Sequence, residues 1–287
     1  MDIRVIKREE QRRPQLGHIL FLNLLPLYYG LVKNNVLLEV ELIKGAPREL
    51  SQALLEGKLD LAPIPAIEYC RNFRQLKLLP NLSVSSDGEV RSILLVSKVP
   101  VQELNHKQIA LTNTSATSQV LLKIILHCKY GVNPFYFECP PDLPQMLREA
   151  DAALLIGDDA LRAWYQESHL LKYDLGLEWQ RFSQRKMVYA VWAVRNDFAE
   201  RKPHLLRETH QALTKSMRYS QKHLDQIAEY ASKWEPFPFE FLREYFRTLR
   251  FEFSHPYQEG LSFFLQKAKE LGFVREIAPL NFVSDLQ

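Results

Sequence analysis

The feature that most constrains this chain is a strand–helix rhythm that runs, stops and starts again. Short apolar runs alternate with longer amphipathic segments, the two patterns that separate buried strands from surface helices. QLGHILF (Gln15–Phe21) reads as a strand, and NLLPLYYGLVKN as a helix with Asn23 at its start. LLEVELIKG is a second strand, and APRELSQALLEGK a helix whose Pro47 suits the first turn. LDLAPIP, a short buried strand, precedes IEYCRNF. After KLLPNLSVSSDGEV and the alternating RSILLVSK, the pattern restarts with KQIALT and with SQVLLKIILHCKYG, a helix ended by Gly131. NPFYFECP, PDLPQMLREA, ADAALLIGD and DALRAWYQE continue it. KMVYAVWAVR (Lys186–Arg195) is a long apolar strand, and everything from Asp197 onward reads as helical.

Two βα arrays side by side predict an α/β protein of two lobes. Ser92–Lys98 and Lys186–Arg195 are apolar and free of Pro and Gly, so they read as paired strand-like crossovers. The expected first lobe is residues 1–95 with 194–287, the second 96–193, with a ligand held in the hinged cleft between them. The C-terminal helices are expected to pack back on the first lobe. Trp164, Trp179, Tyr189 and Trp192 are expected in the core of the second.

Composition narrows the function classes. The formal charge is +3 and the basic residues are scattered, without the clustered face that nucleic acid requires. The early run KREEQRR reads as a solvated strand edge or arm rather than a recognition element. Three cysteines lack CxxC spacing and the histidines lack HExxH spacing, so no metal site is expected. No apolar run reaches the ~18–20 residues of a membrane span, and no apolar leader core follows the charged start. The expectation is a soluble, cytoplasmic chain with a small-molecule partner.

One junction carries the chemical signal. In ALTNTSATSQVLLKIIL a strand runs through Thr112, Thr114, Ser115, Thr117 and Ser118 directly into a helix. The first N–H groups of a helix have no internal partner and sit at its positive dipole end, so this junction suits a carboxylate or phosphate. A single cap needs a single hydroxyl; a cluster favours an anion site. No GxxxxGK[ST] pattern is present, which disfavours a nucleoside triphosphate. Further polar corners end other strands: Asn23, the turn of Ser83, Ser85, Ser86, Asp87 and Gly88, and Ile156-Gly157-Asp158-Asp159. Gly157 permits close backbone approach; Asp158 caps a helix or serves as a base, capping being the default. No GxSxG elbow or recognisable Ser/His/Asp spacing appears. Neutral donors outnumber acids and bases, the composition of a site that grips an anion and stabilises developing negative charge.

Taken together, LGHILFLNLLPLYYGL, KGAPRELSQALLEGKLDLAPIPAIEYCRN, LLPNLSVSSDGEVRSILLVSK, IALTNTSATSQVLLKIIL, ADAALLIGDDAL and YDLGLEWQRFSQRKMVYAVWAVR resemble the chorismate dehydratase family of the futalosine route to menaquinone. The resemblance spans most of the chain in order. It implies the type-2 periplasmic-binding-protein fold, water loss from chorismate to give 3-[(1-carboxyvinyl)oxy]benzoate, and no metal or organic cofactor. It implies Asn23 and Ser86, at the LN and SSDG positions, as the residues contacting the eliminated bond, with Ser85 assisting. Thr114, Ser115, Ala116 and Thr117 would hold a substrate carboxylate, and Gly157 and Asp158 would close the second lobe over the ligand. Pro65-Ala66 departs from the small polar residues usual before IEY in relatives, removing a hydroxyl and a backbone donor from one cleft corner. The dihydroxynaphthoate synthase of the same route and a non-catalytic solute-binding protein are the rival expectations.

Overall fold

The computed structural model describes residues 13–33 and 40–286. All of the KREEQRR run but Arg13, and the opening of the second expected strand, lie outside them. The first pass along the chain is β1 (Gln15–Ile19), α1 (Leu25–Lys33), β2 (Glu41–Gly45), α2 (Pro47–Leu55), β3 (Leu61–Pro65), α3 (Ala66–Asn72) and β4 (Leu76–Ser86). The second is β5 (Ile93–Ser97), β6 (Gln108–Thr112), α4 (Ala116–Ile124), β7 (Phe135–Cys139), α5 (Leu143–Glu149), β8 (Ala152–Ile156), α6 (Gly157–Gln166), β9 (Leu171–Asp174) and α7 (Leu175–Ser183). The chain returns through β10 (Met187–Arg195), α8 (Asn196–Arg201), α9 (Pro203–Gln221), α10 (Leu224–Ala231), α11 (Phe239–Thr248), β11 (Leu249–Arg250) and α12 (His255–Glu270).

Two sheets result, ordered β11-β4-β10-β3-β1-β2 and β7-β6-β8-β5-β9. This is the expected two-lobed α/β plan, and the C-terminal helices do return to the first lobe: α9 lies along α1, where Ser216 and Ser220 donate to the Leu27 and Pro26 carbonyls. In the first sheet β1, β2 and β3 are parallel, while β10 is antiparallel to both β3 and β4. Hence β4 runs with β3, and the carboxyl ends of β1, β3 and β4 share one edge. In the second sheet β6, β7 and β8 are parallel. Ligands of open α/β sheets bind beyond such carboxyl edges.

Prolines shape that edge. Pro63 and Pro65 carry no N–H, so they cannot donate within a sheet. β3 pairs with β10 along Leu61–Pro65 but with β1 only at Leu16–Leu61. Pairing of β1 with β3 therefore does not extend toward their carboxyl ends.

Several expectations require correction. Ser92–Lys98 and Lys186–Arg195 are not crossovers: β5 lies inside the second sheet and β10 inside the first, each buried along its length because both faces are covered. By sheet membership the chain changes sides between Ser86 and Ile93 and again between Ser183 and Met187, earlier than residues 95 and 193. Tyr189 and Trp192 accordingly belong to the first sheet, not to the core of the second lobe. Ser83, Ser85 and Ser86 close an eleven-residue strand rather than forming a turn. Asn23 sits inside a 3₁₀ turn, Leu22–Leu24, rather than capping α1. β9 and α7, within LKYDLGLEWQRFS, were not anticipated as elements, and β11 interrupts the helical C-terminal third to pair with Ser85 and Ser86.

Candidate active site

The loops at the two carboxyl edges face and touch one another. Beyond β1, the Phe21 ring lies against Gly157 at the start of α6, where an added Cβ would stand 2.8 Å from the ring's Cγ. Gly157 has φ +59°, a left-handed conformation that favours glycine. Beside it, the Leu22 N–H donates to Asp158 Oδ1 at 3.0 Å. Beyond β2, Arg48 donates its N–H to the Thr114 carbonyl at 3.3 Å and pairs with Glu138 at 2.6 Å. Beyond β3, the Ile67 N–H donates to Thr117 Oγ1 at 3.2 Å. These contacts join the two lobes.

The start of α4 is built as its hydroxyls suggest. Ser115 is the cap, its side chain accepting from the Ser118 N–H, and the Ser115 and Ser118 hydroxyls lie 3.1 Å apart. The N–H groups of Ala116 and Thr117 are then left at the positive end of the helix without an intrahelical partner. Thr117 Oγ1 accepts from Ile67, so its own hydrogen is free to be donated. Thr112 and Thr114 share a hydroxyl–hydroxyl bond of 2.8 Å, and Gln119 Nε2 ties the Thr112 carbonyl to the helix at 2.8 Å. Ala66 is buried at the facing start of α3; the corner that Pro65-Ala66 changes is the one the Ile67–Thr117 bond closes.

Asn23 lies beyond β1 on the first sheet's edge, next to Leu22, whose N–H reaches Asp158 on the facing edge. Its Oδ1 is buried and without a partner, an acceptor available to a ligand. Behind it, the His18 and Tyr28 rings stack at 3.7 Å with His18 Nδ1 also unpartnered. Burial, aided by Lys44, lowers the His18 pKa to about 4, so this ring is neutral.

Ser86 and Ser85 part company, as consecutive strand residues do. The Ser85 hydroxyl donates to the Arg250 carbonyl at 2.9 Å and lies 3.1 Å from that of Ser83, pinning β11 to β4. The structure does not join Ser85 to the other site residues through any hydrogen bond. Ser86, at the cleft edge, bonds the Gly88 carbonyl at 2.9 Å and the Tyr189 hydroxyl at 2.8 Å. Ser86 and Asn23 stand at the ends of strands three places apart in the sheet, roughly 14 Å between strand axes at ~4.8 Å per step. A ligand touching both must lie across the sheet edge.

Two aspartates in this region are raised well above the usual carboxylate range, and only one was foreseen as a site residue. Burial raises Asp158 to about 6, with Glu235 and Asp159 adding to the rise while Leu22 and Arg162 oppose it. Burial likewise raises Asp174 to about 6, although three backbone N–H groups oppose it, those of Val90, Arg91 and Leu177. Asp174 thereby anchors the first crossover to the start of α7. Sequence reading missed Asp174, Tyr189, Arg48 and Ile67. The signal for Asp174 was an acid immediately before the LGLEWQRF helix; a backbone donor such as Ile67 leaves none.

A two-lobed α/β protein with this order of strands in two sheets has a fold of the periplasmic-binding-protein type. Solved structures agree. A protein of Archaeoglobus fulgidus superposes with a TM-score of 0.76 at 19% identity, over 91% of this chain and 98% of that one. A Candida albicans gene product described as having the generic periplasmic binding protein fold gives 0.69 at 14%, over 93% and 92%. The periplasmic aliphatic sulphonate binding protein of Escherichia coli gives 0.65 at 13%, over 93% and 90%. These likenesses concern the fold. The menaquinone-biosynthesis family matches residues 14–270, and the chain belongs to that family. The chorismate dehydratase of Thermus thermophilus is 29% identical over 260 residues, 84% of this chain and 93% of that protein.

Proposed function

We propose that this chain is a chorismate dehydratase, a hydro-lyase that removes water from chorismate to give 3-[(1-carboxyvinyl)oxy]benzoate. The observation that carries the reading is the start of α4, where the Thr117 hydroxyl meets the Ile67 N–H of the α3 start across the cleft and the Ala116 and Thr117 N–H groups lie at the positive helix end. Family membership and the Thermus thermophilus relative support it.

The chemistry suits neutral donors. Chorismate is a dicarboxylate, and one carboxylate fits the α4 start without a cationic side chain, because a helix N-terminus already carries partial positive charge. Its ring C3–H is acidified through the diene by the ring carboxylate. Loss of that proton and of the C4 hydroxyl leaves an aromatic ring, so aromatisation supplies the driving force. The protein's tasks are orientation and stabilisation of charge developing on the ring carboxylate and on the departing oxygen. In this reading Asn23 and Ser86 reach the ligand from opposite ends of the sheet edge, with Ser86 toward the departing hydroxyl. Gly157 and Asp158 hold the second lobe against Phe21 and Leu22 and keep water out of the cleft.

Purified protein is incubated with chorismate, the rise in aromatic absorbance is followed, and the product is identified by mass and NMR. Prephenate and cyclic dehypoxanthine futalosine serve as controls. Ser86→Ala and Asn23→Ala are expected to lower kcat/KM about 10-fold or more, the scale of one lost charge-stabilising hydrogen bond. Absence of turnover with chorismate, or both variants at wild-type rate and affinity, defeats the assignment.

A further inference from the structure

Ser86 has an unusual environment for a residue that meets substrate. Its hydroxyl is buried between two oxygens, the Gly88 carbonyl at 2.9 Å and the Tyr189 hydroxyl at 2.8 Å. A serine has one hydrogen and a carbonyl only accepts, so Ser86 donates to Gly88 and Tyr189 donates to Ser86. Tyr189 stays a phenol because burial, with the Asp174 carboxylate nearby, pushes its pKa far above the ordinary range. The group is enclosed by the start of α7: a Cβ on Gly176 would stand 2.3 Å from the Gly88 oxygen, 2.6 Å from the Tyr189 oxygen and 2.9 Å from Ser86 Oγ. Four chain segments thus meet where the first crossover leaves the sheet, and Asp174 clamps that crossover through the Val90 and Arg91 N–H groups.

We propose that Tyr189 is the positioning residue for Ser86, holding its Oγ still so that rotation about the Cβ–Oγ bond alone redirects the serine hydrogen from the Gly88 carbonyl to the departing hydroxyl of the substrate. The Tyr189 bond survives that rotation, since it uses a lone pair of Oγ and not the hydrogen. The inference rests on the chorismate dehydratase reading. It makes the serine's donor switchable while its oxygen stays fixed, the preorganisation that electrostatic stabilisation of a leaving group requires.

A double-mutant cycle tests it. Tyr189→Phe is expected to lower kcat roughly 10-fold with KM changed less than about threefold, the effect of one lost hydrogen bond that acts mainly in the transition state. In the Ser86→Ala background, Tyr189→Phe should lower kcat no further than about twofold. A phenylalanine that merely loosened the core would lower both backgrounds equally. If Tyr189→Phe does not fold, 3,5-difluorotyrosine at position 189 keeps the shape and strengthens the donor. It should then change kcat with Ser86 present and leave it unchanged without it. Losses that multiply in the double variant, or wild-type kcat in Tyr189→Phe, overturn the role. A wild-type protein without chorismate turnover removes the functional reading and this role together, whereas active wild type with multiplying losses removes the role alone.

Discussion

Gly157→Ala separates backbone strain from lobe closure, because the two costs have different physical origins. A non-glycine residue at φ +59° costs about 1–2 kcal/mol, and that strain is present whether the lobes are open or closed. The new Cβ would also stand 2.8–2.9 Å from three atoms of the Phe21 ring. Relaxed carbon pairs sit near ~3.5–4.0 Å. Cγ is among the three atoms, so the ring cannot simply swing its tip away; overpacking of this kind costs about 1–3 kcal/mol. This second cost exists only while the β1 loop lies on α6, and it opposes closure alone. Thermal unfolding should therefore drop by about 2–8 °C from strain, while KM for chorismate rises roughly 5- to 150-fold from impaired closure. Phe21→Ala removes the ring. In that background the Gly157→Ala effect on KM should largely vanish while the loss in Tm persists. Steady-state kinetics and calorimetry on the four proteins decide the matter. An equal KM effect with and without the Phe21 ring would refute the steric argument.

Three further outcomes follow from the same contacts. Burial raises Asp158 to about 6 in the arrangement where it accepts from Leu22 of the other lobe, so that arrangement favours its protonated form. KM is accordingly expected to be lowest below about pH 4, to rise as pH climbs from about 4 to about 6, and to level off above; Asp158→Asn, which keeps an acceptor for Leu22, should abolish that rise in a pH series. The charged groups facing Asp158 are Asp159, Arg162 and Glu235, so Glu235→Gln should lower the pH at which KM turns. Thr117→Val leaves the Ile67 N–H without its acceptor at a buried site, costing about 1–3 kcal/mol and raising KM at least fivefold, whereas Thr117→Ser should retain affinity in the same kinetic assay. Arg48→Ala breaks a half-exposed pair with Glu138, and such pairs contribute at most about 1 kcal/mol. Its KM should stay within about fivefold of wild type, and the difference should shrink when salt is raised to ~1 M.

The legibility of the chain varies with the range of the interactions involved. β6 and α4 were readable because their determinants are adjacent: apolar alternation, a hydroxyl at the cap and helical periodicity all fall within Gln108–Ile124. β10 was readable as a strand but misplaced, since an all-buried run such as MVYAVWAV carries no mark of which sheet will cover its two faces. Ser83, Ser85 and Ser86 looked like a turn because serines are common in turns. They form strand only because β10 and the two-residue β11 supply their backbone partners from more than a hundred and more than a hundred and sixty positions later, respectively. β9 was missed for the opposite reason: four residues, LKYD, are too few to display a period.

For the site, the amino-acid order alone determined which strand ends carry donors: Asn23 after β1, the hydroxyl cluster after β6, and the Gly157-Asp158 corner after β8. Those are local properties, set by the chemistry of helix starts. Tertiary structure decided which corners touch: Leu22 on Asp158, Ile67 on Thr117, Arg48 on Thr114 and Glu138. It also decided the acidity of Asp158 and Asp174 and the pairing of Ser86 with Tyr189. Each depends on burial and on a partner that only folding brings within hydrogen-bond reach. Such distances depend on how strands are ordered across a sheet, which residue spacing along the chain does not encode.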